Sequence, residues 1–278
     1  MGQAKHAAKS FWGSNMLMAL AARWALDKGG RMIGVLGGMG PVATVDFLNK
    51  MLAATPARTD QEHVPFVTYS DPAVPDRSTA IRDGRAPSPL PRMVNGVRAL
   101  EKAGADLIAI PCNTAHYWYD QLTEATSIPV LDMVALASKT IAADLADGAE
   151  VGILATRGTL AARLYQKKLE QLGLHPLEPA PDRLCAIDKV VSAVKANQAK
   201  SAASTLKTIA AELRERGAHA IALGCTELPV CWHFVAAEIS DFGIPIIDPT
   251  TILAEECVRL ELAIRRRRYS AAQDMTAV

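Results

Sequence analysis

A membrane-length apolar run, an excess of one charge and close-spaced cysteine pairs are all missing from this 278-residue chain. The 30 Lys and Arg nearly cancel the 29 Asp and Glu, leaving a formal net charge of +1. Nothing in that balance calls for nucleic acid or an anionic membrane as a partner. Four consecutive arginines at 265–268 read as the solvated end of a helix, where cations suit the macrodipole. Five cysteines, an odd number scattered along the chain, do not make a disulfide framework, and a reducing cytoplasm suits them better. Cys225 and Cys231 are too far apart for a CxxC motif, and Cys112 with His116 supplies only two ligands, so no metal is expected. Lys5 and Lys9 precede an apolar stretch at 16–26, but Arg23 interrupts it and it is too short to span a bilayer. Residues 1–30 therefore read as an amphipathic extension packed on the body or on a partner.

What the chain does contain is a pattern that occurs twice. Met32-Ile33-Gly34-Val35-Leu36-Gly37 and Val151-Gly152-Ile153-Leu154-Ala155 each read as a buried strand feeding a loop. Later in each half comes an amphipathic helix, with Met93, Val97 and Leu100 on one face in the first and Leu206, Ile209, Ala210 and Leu213 in the second. Both helices stop at a glycine, Gly104 or Gly217. The next strand ends on a cysteine in both halves: Leu107-Ile108-Ala109-Ile110-Pro111-Cys112 and Ala220-Ile221-Ala222-Leu223-Gly224-Cys225. Each then leads to an Ile-Pro strand, at 128–132 and 244–248, and a further helix, the second showing Leu253, Cys257, Leu260 and Ile264 on one face. Alternating strands and helices predict an α/β fold with parallel sheets flanked by helices. The duplication predicts two lobes related by a pseudo-twofold axis. Ligands collect at the carboxyl ends of parallel strands, so one cysteine from each half should face a shared cleft.

A lone free cysteine is ordinarily a small packing residue. The matched pair favours chemistry, because polar Asn113-Thr114 or Thr226-Glu227 follows each cysteine where its strand should end. A helix starting beside the thiol is expected to lower its pKa from about 8.5. Cys185, Cys231 and Cys257 lack such neighbours and read as packing residues. Gly38, Gly40 and Ala43 form a G-x-G-x-x-A after a strand, but the acidic residue a dinucleotide site needs about twenty positions on would be Asp60, in a polar loop. The glycines are better read as letting backbone N–H groups approach a small anion such as a carboxylate. Arg77 follows a strand expected at 64–70 and precedes a Pro/Gly-rich loop at 83–91; it can be a bidentate carboxylate clamp or a solvated surface residue.

These segments resemble the aspartate racemase branch of the aspartate/glutamate racemase superfamily. The resemblance covers roughly residues 31–265 and rests on Gly37-Gly38-Met39-Gly40-Pro41, Pro75-Asp76-Arg77, Pro111-Cys112-Asn113-Thr114-Ala115-His116, Ala155-Thr156-Arg157-Gly158-Thr159, Gly224-Cys225-Thr226-Glu227 and the Ile-Pro-Ile-Ile-Asp-Pro segment from Ile244. It implies a first lobe of residues 31–129 plus about 240–268, a second of 130–239, an active site between them, and a homodimer. It implies that Cys112 and Cys225 are the acid/base pair of a cofactor-independent racemase, and that Arg77 receives the distal carboxylate of a small amino-acid substrate. Met39, Gly40, Asn113, Thr114, Ala115, Thr156, Thr159 and Thr226 match positions around the amino acid, and Lys195 matches a substrate-contacting lysine. Glu227, where glutamate-preferring relatives carry histidine, favours aspartate. The same scaffold also supports hydantoin racemases, maleate isomerases and decarboxylases. A non-catalytic two-lobed binding protein for dicarboxylic amino acids is a further reading, though mere binding would not need two thiols.

Overall fold

The computed structural model describes residues 32–237 and 241–276, so the N-terminal extension expected at 1–30 lies outside the described residues. The first half runs β1 (Met32–Gly37), α1 (Pro41–Ala54), β2 (Phe66–Ser70), α2 (Arg77–Arg82), α3 (Leu90–Lys102), β3 (Ala105–Ala109), α4 (Tyr119–Glu124) and α5 (Met133–Asp144). The second runs β4 (Glu150–Ala155), α6 (Arg157–Ala161), α7 (Leu164–Gln171), β5 (His175–Leu177), α8 (Leu184–Lys195), α9 (Ala203–Glu215), β6 (Ala220–Gly224), α10 (Glu227–Ala236), β7 (Ile246–Ile247) and α11 (Pro249–Thr276). Both sheets are parallel, in the orders β2-β1-β3 and β5-β4-β6-β7. Val130 makes an isolated parallel bridge to Ile108 at the place where β7 joins β6, so the duplicated halves follow one topology.

Each strand buries both faces, as parallel strands between helices must. In β1, Ile33 and Val35 face a core shared with Phe47 and Met51 of α1, while Leu36 packs with Met93, Val97 and Leu100 of α3. In β4, Val151 and Ile153 pack with Tyr165 and Leu169 of α7, and Leu154 packs with Leu206, Ile209 and Leu213 of α9. Gly104 and Gly217 follow α3 and α9 at φ +89° and +99°, the left-handed conformation in which a helix-terminating residue needs no Cβ.

The two halves exchange their last helices. After Val130 the chain leaves the first sheet, and Val134, Ala137 and Ile141 of α5 cover Val151 and Ile153 of the second. After β7 it returns, and Leu253, Ala254, Cys257 and Val258 of α11 cover Ile33 and Val35 of the first. Helices α5 and α11 also pack against each other. Two ion pairs follow the same crossing. Asp132, at the end of the first sheet's Ile-Pro segment, meets Lys168 of α7 at 2.9 Å, and Asp248, after β7, meets Lys50 of α1 at 2.6 Å. Burial alone would raise the pKa of both carboxyls, but His116 and Lys168 at Asp132, Lys50 at Asp248, and local N–H and O–H donors outweigh it and hold both below the ordinary range.

Several local expectations change. The segment at 128–132 contributes one bridge rather than a strand: Ile108 bonds to the Pro129 carbonyl and the Leu131 N–H, but the next N–H on that side, that of Met133, goes to His116 Nε2 at 3.1 Å, and Asp132 already caps α5 through the Ala135 N–H. The loop at 83–91 ends early: α3 starts at Leu90, and Pro91 sits in its first turn, where a missing N–H costs no hydrogen bond. The arginines at 265–268 lie inside α11, which continues to Thr276, and not at its end. Among the described residues no helix is long and apolar enough to cross a membrane.

The crossed pairs generate a stability prediction. Lys168→Met or Lys50→Met leaves a largely buried carboxylate without its counter-charge, and each should cost about 1–2 kcal/mol at neutral pH. A carboxyl with a lowered folded pKa adds stability above its unfolded value of about 3.9, and that stability is lost as pH falls through the folded value. Denaturant titrations should therefore find a deficit in each variant at pH 7 that shrinks at pH 3; equal deficits at both would show that the pairs do not act through charge.

Candidate active site

Cys112 and Cys225 stand just beyond the carboxyl ends of β3 and β6, and both line one cleft between the lobes. Both are 4% exposed. The narrow cleft is also lined by Met39, Arg77, Asn113 and Thr114 from the first half and Thr156, Lys195, Thr226 and Glu227 from the second. Gly40, Ala115 and Thr159 stand behind this wall. Gly40 caps α1, Ala115 is fully buried in the first lobe's core, and Thr159 is fully buried beneath Thr114 and Thr156. Asp76, Ser78 and Val191 also line the cleft. None of these three was singled out from the sequence, although Val191 lies one helical turn before Lys195, where the i, i+4 spacing could have found it.

The first cysteine is fixed through its backbone. His116 Nδ1 lies 2.9 Å from the Cys112 carbonyl oxygen, while His116 Nε2 accepts the Met133 N–H at 3.1 Å. The ring thus ties the Cys112 loop to the start of α5, the helix that crosses to the other lobe. The Oγ1 atoms of Thr114, Thr156 and Thr159 form a triangle of contacts at 2.8, 3.0 and 3.2 Å, joining the loop after Cys112 to the start of α6. Asn113 accepts a 2.6 Å hydrogen bond at Oδ1 from Tyr165 Oη, while its buried Nδ2 has no partner. Burial, with nearby acidic groups, raises the pKa of Tyr165 well above its ordinary value, so this hydroxyl stays a donor and fixes which way the Asn113 amide faces.

The second cysteine sits in a different electrostatic setting. Cys225 Sγ donates to Glu227 Oε2 at 3.0 Å. Burial raises its thiol pKa well above normal, the Glu227 charge and hydrogen bond add to that, and a backbone N–H and Lys195 oppose it more weakly. The lowering expected from a helix N-terminus is thereby reversed at Cys225, first by burial and then by a carboxylate in the first turn of α10 that puts negative charge where the helix would offer positive.

Arg77 is not a solvated surface residue. Its Nη2 donates to the Met39 carbonyl at 2.9 Å and its Nη1 to those of Val74 and Pro75 at 3.3 and 3.2 Å, while its buried Nε–H has no partner. The preceding Asp76 caps α2 through the Thr79 N–H at 2.7 Å. Its pKa is lowered despite partial burial, by bonds from Thr79 and by Lys195 and Arg77. Ser78 crosses to the other lobe, where its Oγ accepts the Gly158 N–H at 2.8 Å; a Cβ on Gly158 would lie 2.5 Å from the Ser78 Cα, so only glycine permits this approach. The glycine run after β1 is not an anion cradle at Gly38, whose N–H donates to Thr44 Oγ1 at 2.9 Å and whose Cα packs on the Asp71 backbone. Asp60 lies in a 3-10 turn ahead of β2, not at the end of that strand.

Comparison with known proteins fits this arrangement. A family profile described as Asp/Glu/Hydantoin racemase matches residues 36–257. The broad specificity amino-acid racemase RacX of Bacillus subtilis is 29% identical over 239 residues, covering 84% of this chain and 99% of that protein. The structure of Picrophilus torridus aspartate racemase superposes with a TM-score of 0.73 at 32% identity, covering 84% of this chain and 94% of the other. The Francisella tularensis glutamate racemase complex with D-glutamate shares the fold, with a TM-score of 0.61 at 17% identity over 84% of this chain and 82% of that one.

The asymmetry between the thiols can be measured directly. Alkylation of Cys225 in the free protein, followed by peptide mass spectrometry across pH, should have its midpoint above the ordinary thiol value of about 8.5. Glu227→Gln removes a negative charge and a hydrogen-bond acceptor of the thiol, so that midpoint should fall. An unchanged midpoint would mean that the carboxylate does not govern this thiol.

Proposed function

The chain belongs to the Asp/Glu/Hydantoin racemase family, and we propose that it is an amino-acid racemase interconverting L- and D-aspartate, with glutamate as a second substrate, by two-base proton transfer at Cα without a cofactor. The observation that carries this reading is that thiols from two duplicated lobes share one cleft whose unpaired buried donors, Arg77 Nε–H and Asn113 Nδ2, suit carboxylate oxygens.

Inverting Cα requires a base on one face and an acid on the other. In this reading one cysteine, as thiolate, takes the Cα proton, and the electron pair left on carbon spreads into the α-carboxylate. The other cysteine, as thiol, returns a proton to the opposite face and becomes the thiolate. Reversal exchanges the roles. Asn113 Nδ2 and the hydroxyls of Thr114 and Thr156 are the groups available to stabilise the growing charge on the carboxylate, an effect worth about 3–4 kcal/mol for a single well-placed donor. Arg77 Nε–H, with Lys195 across the cleft, would hold the distal carboxylate. A homodimer in the cytoplasm belongs to the same reading.

Racemisation in deuterated water, with no pyridoxal phosphate, metal or nucleotide added, should place deuterium at Cα of aspartate. N-carbamoyl and hydantoin relatives assayed in parallel test the family's other chemistry. A requirement for pyridoxal phosphate would end this reading.

Cys112→Ala and Cys225→Ala should each abolish nearly all racemisation, and the two losses should not add, since the pair acts as a unit. With an aspartate analogue bearing a leaving group on Cβ, one variant should eliminate from the L form and the other from the D form. Near-normal racemisation by either variant, or consumption of the same enantiomer by both, would overturn the two-base assignment.

Arg77→Ala should reduce use of aspartate at least tenfold, the scale of about 1.5–3 kcal/mol for a charge-assisted contact, while both thiols remain open to alkylation. Unchanged aspartate kinetics would assign Arg77 to loop structure alone, through its three backbone carbonyls.

A further inference from the structure

A carboxylate oxygen is buried in the cleft without a partner. Glu227 is 3% exposed, and its Oε2 accepts from Cys225 Sγ at 3.0 Å and from Thr226 Oγ1 at 3.5 Å. Its Oε1 is sealed from solvent with no hydrogen bond. That oxygen faces the loop before α1, where Gly40 leaves a gap: a Cβ there would stand 3.2 Å from Oε1. Positive charge is close but makes no hydrogen bond to Oε1. The Arg77 Nη atoms serve the carbonyls of Met39, Val74 and Pro75. Lys195 acts on Asp76 from across the cleft and on Cys225 from its own side, and no hydrogen bond joins it to Glu227.

An unpaired buried carboxylate oxygen is unfavourable in the empty site and is satisfied most readily by a cationic donor. The other unpaired buried atoms of the cleft wall, Arg77 Nε and Asn113 Nδ2, are donors and suit carboxylates; Glu227 Oε1 is the acceptor. We infer that Glu227 Oε1 receives the substrate's α-ammonium, making Glu227 the residue that selects free amino acids over dicarboxylates and N-acylated relatives of similar shape. The inference rests on the proposed racemase reading and deepens it.

Two consequences follow from the geometry. The ammonium nitrogen is bonded to the carbon whose proton moves, so seating it on Glu227 brings Cα to the thiol that the same carboxylate already holds. The ammonium also offsets the Glu227 charge, so negative charge on Cys225 is tolerated best when a free amino acid is bound. A hydantoin or N-carbamoyl nitrogen is uncharged and supplies neither effect, and maleate has no nitrogen.

The test is calorimetric binding to the full chain, with racemic aspartate so that turnover produces no net change, and with succinate, which keeps both carboxylates but lacks the ammonium. The wild-type protein should bind aspartate at least tenfold more tightly than succinate. Glu227→Gln, checked for native melting, should shrink that ratio at least tenfold, with succinate bound as well as before or better. Glu227→Asp, which keeps the charge, should retain part of the preference. Equal wild-type affinity for the two ligands, an unchanged ratio in Glu227→Gln, or an equal loss of both ligands in that variant would each overturn the assignment. A separate racemisation assay on the wild-type protein distinguishes the two failures: turnover of aspartate with no Glu227 effect sinks only the ammonium site, whereas absence of turnover on any free amino acid sinks the racemase reading itself.

Discussion

The crossing of charge and helix between the two lobes is the constraint on which the cleft depends. Lys168 reaches from the second lobe to Asp132 at the end of the first sheet, and Lys50 reaches from the first lobe to Asp248 at the end of the second. Each aspartate ends an Ile-Pro segment and begins the helix that covers the opposite sheet. Neither lobe therefore closes its own core: β1 is covered by α11, and β4 by α5. Separating the lobes would expose both apolar helix faces as well as break both ion pairs. The hydrophobic term is the larger, at about 25 cal/mol per Å² of apolar surface, because partly exposed ion pairs contribute little by comparison. What the pairs add is direction, fixing where each helix leaves its sheet.

That frame bears directly on the thiols. His116 links the Cys112 carbonyl to the first N–H of α5, so the loop carrying the first cysteine is anchored to a crossing helix. Cys225 follows β6 without an intervening residue, and Gly224 lets that strand end pass close to Ala155 and Tyr165, where a Cβ would meet atoms at 3.0 and 3.1 Å. Tyr165 in turn orients Asn113 in the other lobe. The Cys112 loop is thus positioned by groups from both halves, and the Cys225 strand end by the second half's own packing. The unpaired buried atoms of Arg77, Asn113 and Glu227 weaken the empty protein, and in the proposed reading they would preorganise it for a zwitterionic ligand.

Much of this arrangement was legible in the sequence. Buried parallel strands are short apolar runs, helix ends carry glycine, and a repeated strand-cysteine-polar pattern can be aligned by eye; hence the α/β class, the duplication and the shared cleft. The exchange of α5 and α11 is not written in the amphipathic pattern, because a stripe such as Leu253, Cys257 and Leu260 says that a helix is covered but not by which sheet; the lobe bounds at 129/130 and about 240 came only from the family resemblance. The fate of the segment at 128–132 turned on competition from His116, which takes the Met133 N–H, a contact between residues 17 positions apart that no strand propensity encodes. Gly38 carries the spacing of an anion loop, yet a threonine six residues on uses its N–H. The direction of the Cys225 shift was missed for a similar reason. Helix position argued for a lowered pKa, whereas burial of the sulfur, with Glu227 turned toward it, raises it.

Duplication makes the lobes alike but leaves the two sulfur environments unequal, since Asn113-Thr114 follows one cysteine and Thr226-Glu227 the other. For the proposed reaction this inequality has a bounded effect. Enantiomers have the same free energy in water, so no arrangement of charge around Cys225 can move the equilibrium between them away from unity. What the Glu227 carboxylate and the burial of Cys225 can set is which protonation form of the free protein accumulates. Holding the proton on Cys225 favours the form that accepts the enantiomer whose Cα hydrogen faces Cys112. Each turnover leaves the opposite form, which must relax before the same enantiomer can react again. The hydrogen bond from Cys225 to Glu227 lies on that relaxation path, so an asymmetric site can run a symmetric reaction with unequal kcat and KM in the two directions, provided the ratio of kcat/KM values stays at one.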